Sequence, residues 1–135
     1  MNAFKKTSDM EILLFEPGEP GVGCHETTQP DHLLVNTVSG QMTMFSDFTV
    51  KDAGPVLEGP SFFQWMKASG WSEDGQQGSV SPDGYYSRKL FGRYLNYVYG
   101  YVLSHLPEHV RVRHVRSVLE AADRRHDGSW SIVDL

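Results

Sequence analysis

The sequence predicts an α/β fold, and three observations carry that prediction. Residues 11–16, Glu-Ile-Leu-Leu-Phe-Glu, form a short apolar run closed by Pro17-Gly18, the pattern of a strand buried in a parallel sheet. Residues 87–106 place Phe91, Leu95, Val98, Val102 and Leu106 at spacings of three and four, the period of a long amphipathic helix. Residues 110–118 and 129–133 read as two strands, and Asp127-Gly128 between them signals a C-terminal β-hairpin.

Taken in order, Met1 to Asp9 shows neither alternation nor a helical period and reads as a loose lead-in. After the first strand, residues 16–23 hold three glycines and two prolines, a loop suited to close backbone approach. Residues 24–47 are mostly irregular; within them 32–38 is apolar enough to be buried, and Gly40-Gln41 turns the chain. Residues 45–59 read as a polar surface loop containing Pro55. Over 60–70, Ser61 fits a helix N-cap, Gln64 the capping-box position and Gly70 the C′ position, with Phe62, Trp65 and Met66 on one face. Residues 72–84 are rich in Gly, Gln, Ser and Asp, as in an exposed loop. In the long helix, Tyr94, Tyr97, Tyr99 and Tyr101 widen the apolar surface. Gly92 and Gly100 each cost about 1 kcal/mol against alanine and suit close packing against a neighbour. Pro107 stops the helix.

Composition bounds the function. A chain of 135 residues reads as one domain over 1–135, and 39% hydrophobic with 21% charged residues is the balance of a folded globule. Twelve Lys+Arg against 17 Asp+Glu give a net charge of −5, which argues against broad charge-driven binding to nucleic acid or anionic membranes. The single cysteine, Cys24, excludes an internal disulfide framework and a cysteine-based zinc cage. No apolar run approaches the roughly 20 residues that cross a bilayer. Residues 1–10 are polar, without the apolar stretch of a signal peptide. A soluble, cytoplasmic protein is the expectation.

Several chemical groupings read as ordinary structure. Cys24, His25 and His32 lack metal-ligand spacing and read as solvent-facing loop residues. His105 and His109 sit where a cation complements a helix C-terminus, and His114 reads as a half-buried sheet residue. Arg111, Arg113, Arg116, Arg124 and Arg125 cluster locally, with Arg111 and Arg113 on one strand face, as in a solvated surface. Glu16 and Asp31 are the candidate carboxylate pair for acid–base work. No metal site is expected, and no catalytic residue is assigned.

The strand ending in Glu16, followed by Gly21-Val22-Gly23, has a specific chemical reading. In dinucleotide-binding folds an acidic residue ending a strand accepts hydrogen bonds from a ribose diol, because a carboxylate offers two acceptor oxygens to two hydroxyls. Four strings then occur in order: Phe15-Glu-Pro-Gly-Glu-Pro-Gly-Val-Gly23, Gln29-Pro-Asp-His-Leu-Leu-Val-Asn-Thr-Val-Ser-Gly-Gln41, Gly59-Pro-Ser-Phe-Phe-Gln-Trp65 and Arg88-Lys-Leu-Phe-Gly-Arg-Tyr-Leu95. With them the chain resembles, from about Glu11 to Leu135, bacterial FAD/NAD(P)-binding proteins related to flavin-dependent N-hydroxylating monooxygenases. The resemblance implies an FAD-binding Rossmann-like domain with FAD as prosthetic group. Glu16 would hold the ribose, and Gly21 and Gly23 would let the backbone approach FAD. Asn36, Thr37 and Gln41 would lie near the flavin, and Arg88 near the pyrophosphate. The helix over 91–106 would pack below the site, and the terminal hairpin would be the β-meander of such domains.

The expected domain is incomplete. The family pattern opens with a strand, Gly-x-Gly-x-x-Gly and a helix that receives the pyrophosphate. Here ten residues without a glycine precede the Glu11 strand, and no Gly-x-Gly-x-x-Gly occurs anywhere. The NAD(P)-binding half is also missing from the pattern. Three explanations stand: one piece of a split flavoenzyme whose partner chain supplies the phosphate loop, a trimmed relative using the residual pocket for non-redox binding of a small molecule or cofactor-free catalysis, or the remnant of a broken gene. The bare edge of the first strand calls for covering by a partner or a second copy.

Overall fold

The computed structural model describes residues 8–52, 54, 56–71 and 79–134. The chain divides into two compact units, one of Met1–Pro20 with Tyr99–Leu135 and the other of Gly21–Val98.

In the first unit, strand β1 (Met10–Phe15) pairs in parallel with β2 (Val110–Val115), in register from Met10 opposite Val110 to Phe15 opposite Val115. Period-2 alternation accounts for β2: Val110, Val112 and His114 are half-buried while Arg111 and Arg113 face solvent. Arg113 Nε lies 3.4 Å from Glu11 Oε1, an exposed pair worth at most about 1 kcal/mol. The chain then turns, with Ser117 buried and its N–H returned to the Val115 carbonyl at 2.8 Å.

Strands β3 (Leu119–Arg124) and β4 (Trp130–Asp134) follow as an antiparallel pair. The Asp127-Gly128 turn joins them: Gly128 adopts φ 84°, and Asp127 Oδ1 accepts the Ser129 N–H at 2.9 Å. Hydrogen bonds from the Ser129 hydroxyl and amide hold the Asp127 carboxyl below its usual range. The hairpin partners differ from those expected. Residues 110–115 pair with β1 rather than with the terminal strand, and 119–124, of which 120–124 read as part of the connection, form the first arm. Its Leu-Glu-Ala-Ala-Asp-Arg composition is poor in β-formers, so pairing with β4 overrides local propensity.

In the second unit, helix α1 (Phe62–Ala68) has the expected capping box. The Gln64 N–H donates to Ser61 Oγ at 3.2 Å, and the Ser61 N–H donates to Gln64 Oε1 at 2.8 Å. Gly70 follows at φ 65°, the left-handed stop. Helix α2 (Arg88–Ser104) is capped by Ser87 Oγ, which accepts the Leu90 N–H at 3.2 Å, and ends three residues before Pro107.

Phe62, Met66, Tyr86, Leu90, Tyr94 and Val98 form the core. The buried stripe of α2 is Leu90, Tyr94 and Val98, stepped by four; of the predicted set, Val98 lies in it, Phe91 and Leu95 pack half-buried against it, and Val102 is exposed. The Phe62 ring packs 5.2 Å from the Phe91 ring and 5.4 Å from that of Tyr94. The Tyr94 hydroxyl donates to the Pro60 carbonyl at 2.8 Å and accepts the Met44 N–H at 3.2 Å, so the phenol is satisfied inside the core.

Residues 33–40 run beside 82–88 as an irregular ribbon: Val35 N–H to Tyr86 O at 3.0 Å, Arg88 N–H to Leu33 O at 2.7 Å and Gly40 N–H to Pro82 O at 2.8 Å. A 3-10 turn at Ser39–Gln41 ends it, as Gly40-Gln41 suggested. Burial of 32–38 is narrower than predicted. Val35 is buried but Leu33 and Leu34 are 37% and 47% exposed. Within 45–59, Phe45 departs from the polar pattern by packing its ring over Gly59, where a Cβ would stand 2.3 Å from it. The parts of the expected lead-in and loops at 1–7, 53, 55 and 72–78 lie outside the described residues.

Candidate functional site

Glu16 follows β1 directly, at the carboxyl end of a parallel pair, the edge where open α/β sheets bind ligands. Its N–H continues the ladder to the Val115 carbonyl at 3.1 Å. Its Oε1 accepts the Gly18 N–H at 2.8 Å, closing a turn through Pro17. A carboxylate has about four lone-pair sites, so this bond leaves room for a diol.

The other six residues singled out from the sequence belong to the second unit. Gly21 and Gly23 adopt φ 88° and 54°, a backbone that side chains other than glycine rarely adopt. They flank Val22, which is 3% exposed and anchors the loop. The loop is seated on α2 at Gly92, where a Cβ would stand 1.8 Å from the His25 carbonyl oxygen. Lys89 Nζ, 3.2 Å from Asp31 Oδ1, ties the same loop to the helix, so the Asp31 carboxylate is engaged in an ion pair. Arg88 donates from Nε to the Leu34 carbonyl at 3.2 Å, two residues before Asn36. Thr37 Oγ1 donates to Asn36 Oδ1 at 3.5 Å, and the exposed Gln41 closes the 3-10 turn through its N–H on Val38 O at 3.0 Å. Asn36, Thr37, Gln41 and Arg88 thus share the 33–40/82–88 ribbon and its end, and the glycine loop meets the first turns of the same helix.

His25 corrects the sequence reading of a solvent-facing residue. Its ring packs edge-on to Phe91 at 5.1 Å, and its Nδ1 is buried without a hydrogen-bond partner. Burial first, and then the Arg88 guanidinium, hold its pKa below the ordinary 6.5. Below about pH 6.5 the unfolded chain therefore takes up a proton that the folded loop resists. The stability contribution of neutral His25 is complete above that pH and declines as the pH falls. The thermal midpoint is expected to drop between about pH 7.5 and 5.5, and to drop less in His25→Gln; parallel curves for the two proteins would refute it.

His105 behaves as read, its Nδ1 2.8 Å from the Tyr101 carbonyl at the end of α2. His114 is half-buried as expected, with its Nε2 2.7 Å from the Glu16 carbonyl oxygen, a contact that sequence spacing could not announce. A groove of about 390 Å³ in the second unit is lined by Thr43, Phe45, Asp47, Phe48, Glu58 and Gln64 among others; none of the seven residues singled out for cofactor binding lines it. Among the described residues, no helix is long and apolar enough to cross a membrane.

The sequence matches the FAD-NAD(P)-binding family over residues 2–134. The chain belongs to that family. Among curated relatives, it is 32% identical over 125 residues to a nitrosuccinic acid synthase of Aspergillus oryzae, which covers 92% of this chain and 18% of that protein. It is 34% identical to an L-aspartate N-monooxygenase (nitrosuccinate-forming) of Streptomyces davaonensis, over 83% of this chain and 19% of that one. A protein of the same name from Streptomyces cremeus is also 34% identical, over 92% of this chain and 21% of its own length. The chain spans about a fifth of the length of these relatives. Two of the three are named as N-monooxygenases, the class that the ordered motifs resemble. Membership brings FAD as the cofactor, and the Glu16 carboxylate at a parallel-strand terminus has the acceptor chemistry that a ribose diol needs.

Proposed function

We propose that this chain supplies the ribose-binding and flavin-proximal part of an FAD-dependent oxidoreductase of the N-monooxygenase kind. The observation that carries the reading is Glu16, a carboxylate set in a turn at the carboxyl end of a parallel strand and already ordered by the Gly18 amide. In this reading Glu16 accepts hydrogen bonds from the ribose hydroxyls, and Gly21 and Gly23 admit the adenosine to the backbone. Asn36, Thr37 and Gln41 offer amide and hydroxyl groups to the flavin ring. Arg88 brings positive charge toward the pyrophosphate; its Nε is engaged on the Leu34 carbonyl, and a guanidinium has further N–H donors to offer anionic oxygen. FAD, when bound, supplies the redox chemistry; the chain's own residues bind and orient it.

The 135 residues form an incomplete FAD-binding Rossmann-like domain in this proposal. A pyrophosphate cradle comes from polypeptide beyond it, as a continuation or a partner chain. The names of the relatives support the reaction class.

Titration of the purified chain with FAD, followed by quenching of flavin fluorescence, tests the reading. Glu16→Gln is expected to weaken binding about 10- to 100-fold, the scale of hydrogen bonds to a charged group. Unchanged affinity would remove Glu16 from the site, and absence of quenching by the unmodified chain would reject the proposal.

A further inference from the structure

We propose that His114 is a positioning residue for the Glu16 turn, holding the carbonyl of that residue so that its carboxylate stays in place. The inference rests on the reading of Glu16 as the nucleotide-binding carboxylate for its functional weight, but its geometry stands alone. His114 lies opposite Leu14 in the β1–β2 register, and its ring reaches along β1 to bring Nε2 within 2.7 Å of the Glu16 carbonyl oxygen. A carbonyl only accepts, so this ring carries its proton on Nε2. The placement has a structural cause. After Val115 the second strand turns, and the Ser117 N–H returns to the Val115 carbonyl at 2.8 Å. The backbone ladder therefore stops after the Glu16 N–H on Val115 O at 3.1 Å, and the imidazole stands where the next ladder donor would come. Glu16 is thus fixed on both sides of its Cα, by a strand carbonyl at its N–H and a ring N–H at its C=O. Its side chain is left one task within the turn, accepting the Gly18 N–H at 2.8 Å. Pro17 stiffens the peptide whose carbonyl is held.

Nuclear magnetic resonance on the full chain tests this directly. Long-range correlation of the ring nitrogens is expected to show His114 as the Nε2–H form, and the opposite form would overturn the proposal, because Nε2 could not then donate. In His114→Leu the Gly18 amide is expected to lose the downfield position given by the Glu16 carboxylate, and in His114→Gln, which restores an N–H donor of similar reach, to regain it. A Gly18 amide unmoved by His114→Leu, or moved equally by both substitutions, would overturn it.

The two substitutions are also read by flavin fluorescence. About tenfold weaker binding for His114→Leu, with recovery to within about threefold in His114→Gln, supports the positioning role; equal affinities for the unmodified chain and His114→Leu argue against it. Should the unmodified chain bind no FAD, the proposed function falls, and the ring tautomer with the Gly18 amide still decides the role of His114.

Discussion

Gly92→Ala is expected to remove about 3 kcal/mol or more of folding stability, a large share of what a domain of this size has. The reason is steric and local. Gly92 is buried on α2, and a Cβ there would stand 1.8 Å from the His25 carbonyl oxygen and 3.0 Å from its carbon. The obstruction is backbone, so no rotamer change relieves it, and the 21–29 loop must lift from the helix. Gly100 on the same helix is the control, since a Cβ there meets nothing within 4 Å. Gly100→Ala is expected to stabilise by about 0.5–1 kcal/mol, the ordinary helix preference for alanine. Urea unfolding of both variants measures the contrast. Equal shifts for the two would mean that the glycine loop does not rest on α2.

Phe62→Ala is expected to cost about 3–5 kcal/mol, with the urea midpoint falling sharply at constant slope. Phe62 is fully buried and meets the rings of Trp65, Tyr86, Phe91 and Tyr94 at 5.2–6.2 Å. It joins α1 to α2, and through Tyr94 to the Met44 amide and the Pro60 carbonyl. Deleting the ring leaves a cavity whose walls are other rings, which cannot collapse inward without breaking those two hydrogen bonds. A loss below about 1 kcal/mol would show that the cluster repacks freely. In the proposed reading the consequence reaches function, because α2 begins at Arg88, where the ribbon beside Asn36 ends.

What the sequence determined by itself was local chemistry and ancestry. The capping box of Ser61 and Gln64, the stop at Gly70 and the Asp127-Gly128 turn each depend on residues within a few positions of one another. A string of that length contains the whole interaction. Motifs in fixed order over residues 15–95 likewise carried the family.

The tertiary structure decided the rest, because those contacts join distant parts of the chain. Which face of α2 is most deeply buried depends on what packs against it, and so Leu90 and Tyr94 joined the predicted Val98 in the core while the predicted Val102 stayed exposed. Residues 110–115 pair with β1, a parallel partner about a hundred positions away, and this frees 119–124 to make the hairpin despite a poor strand composition. His25 is half-buried because Gly92 lets its backbone approach the helix, and His114 finds Glu16 across 98 positions. None of these pairings has a local periodicity; each exists because burial of side chains and completion of hydrogen bonds reward it only once the folded backbone has brought the partners together.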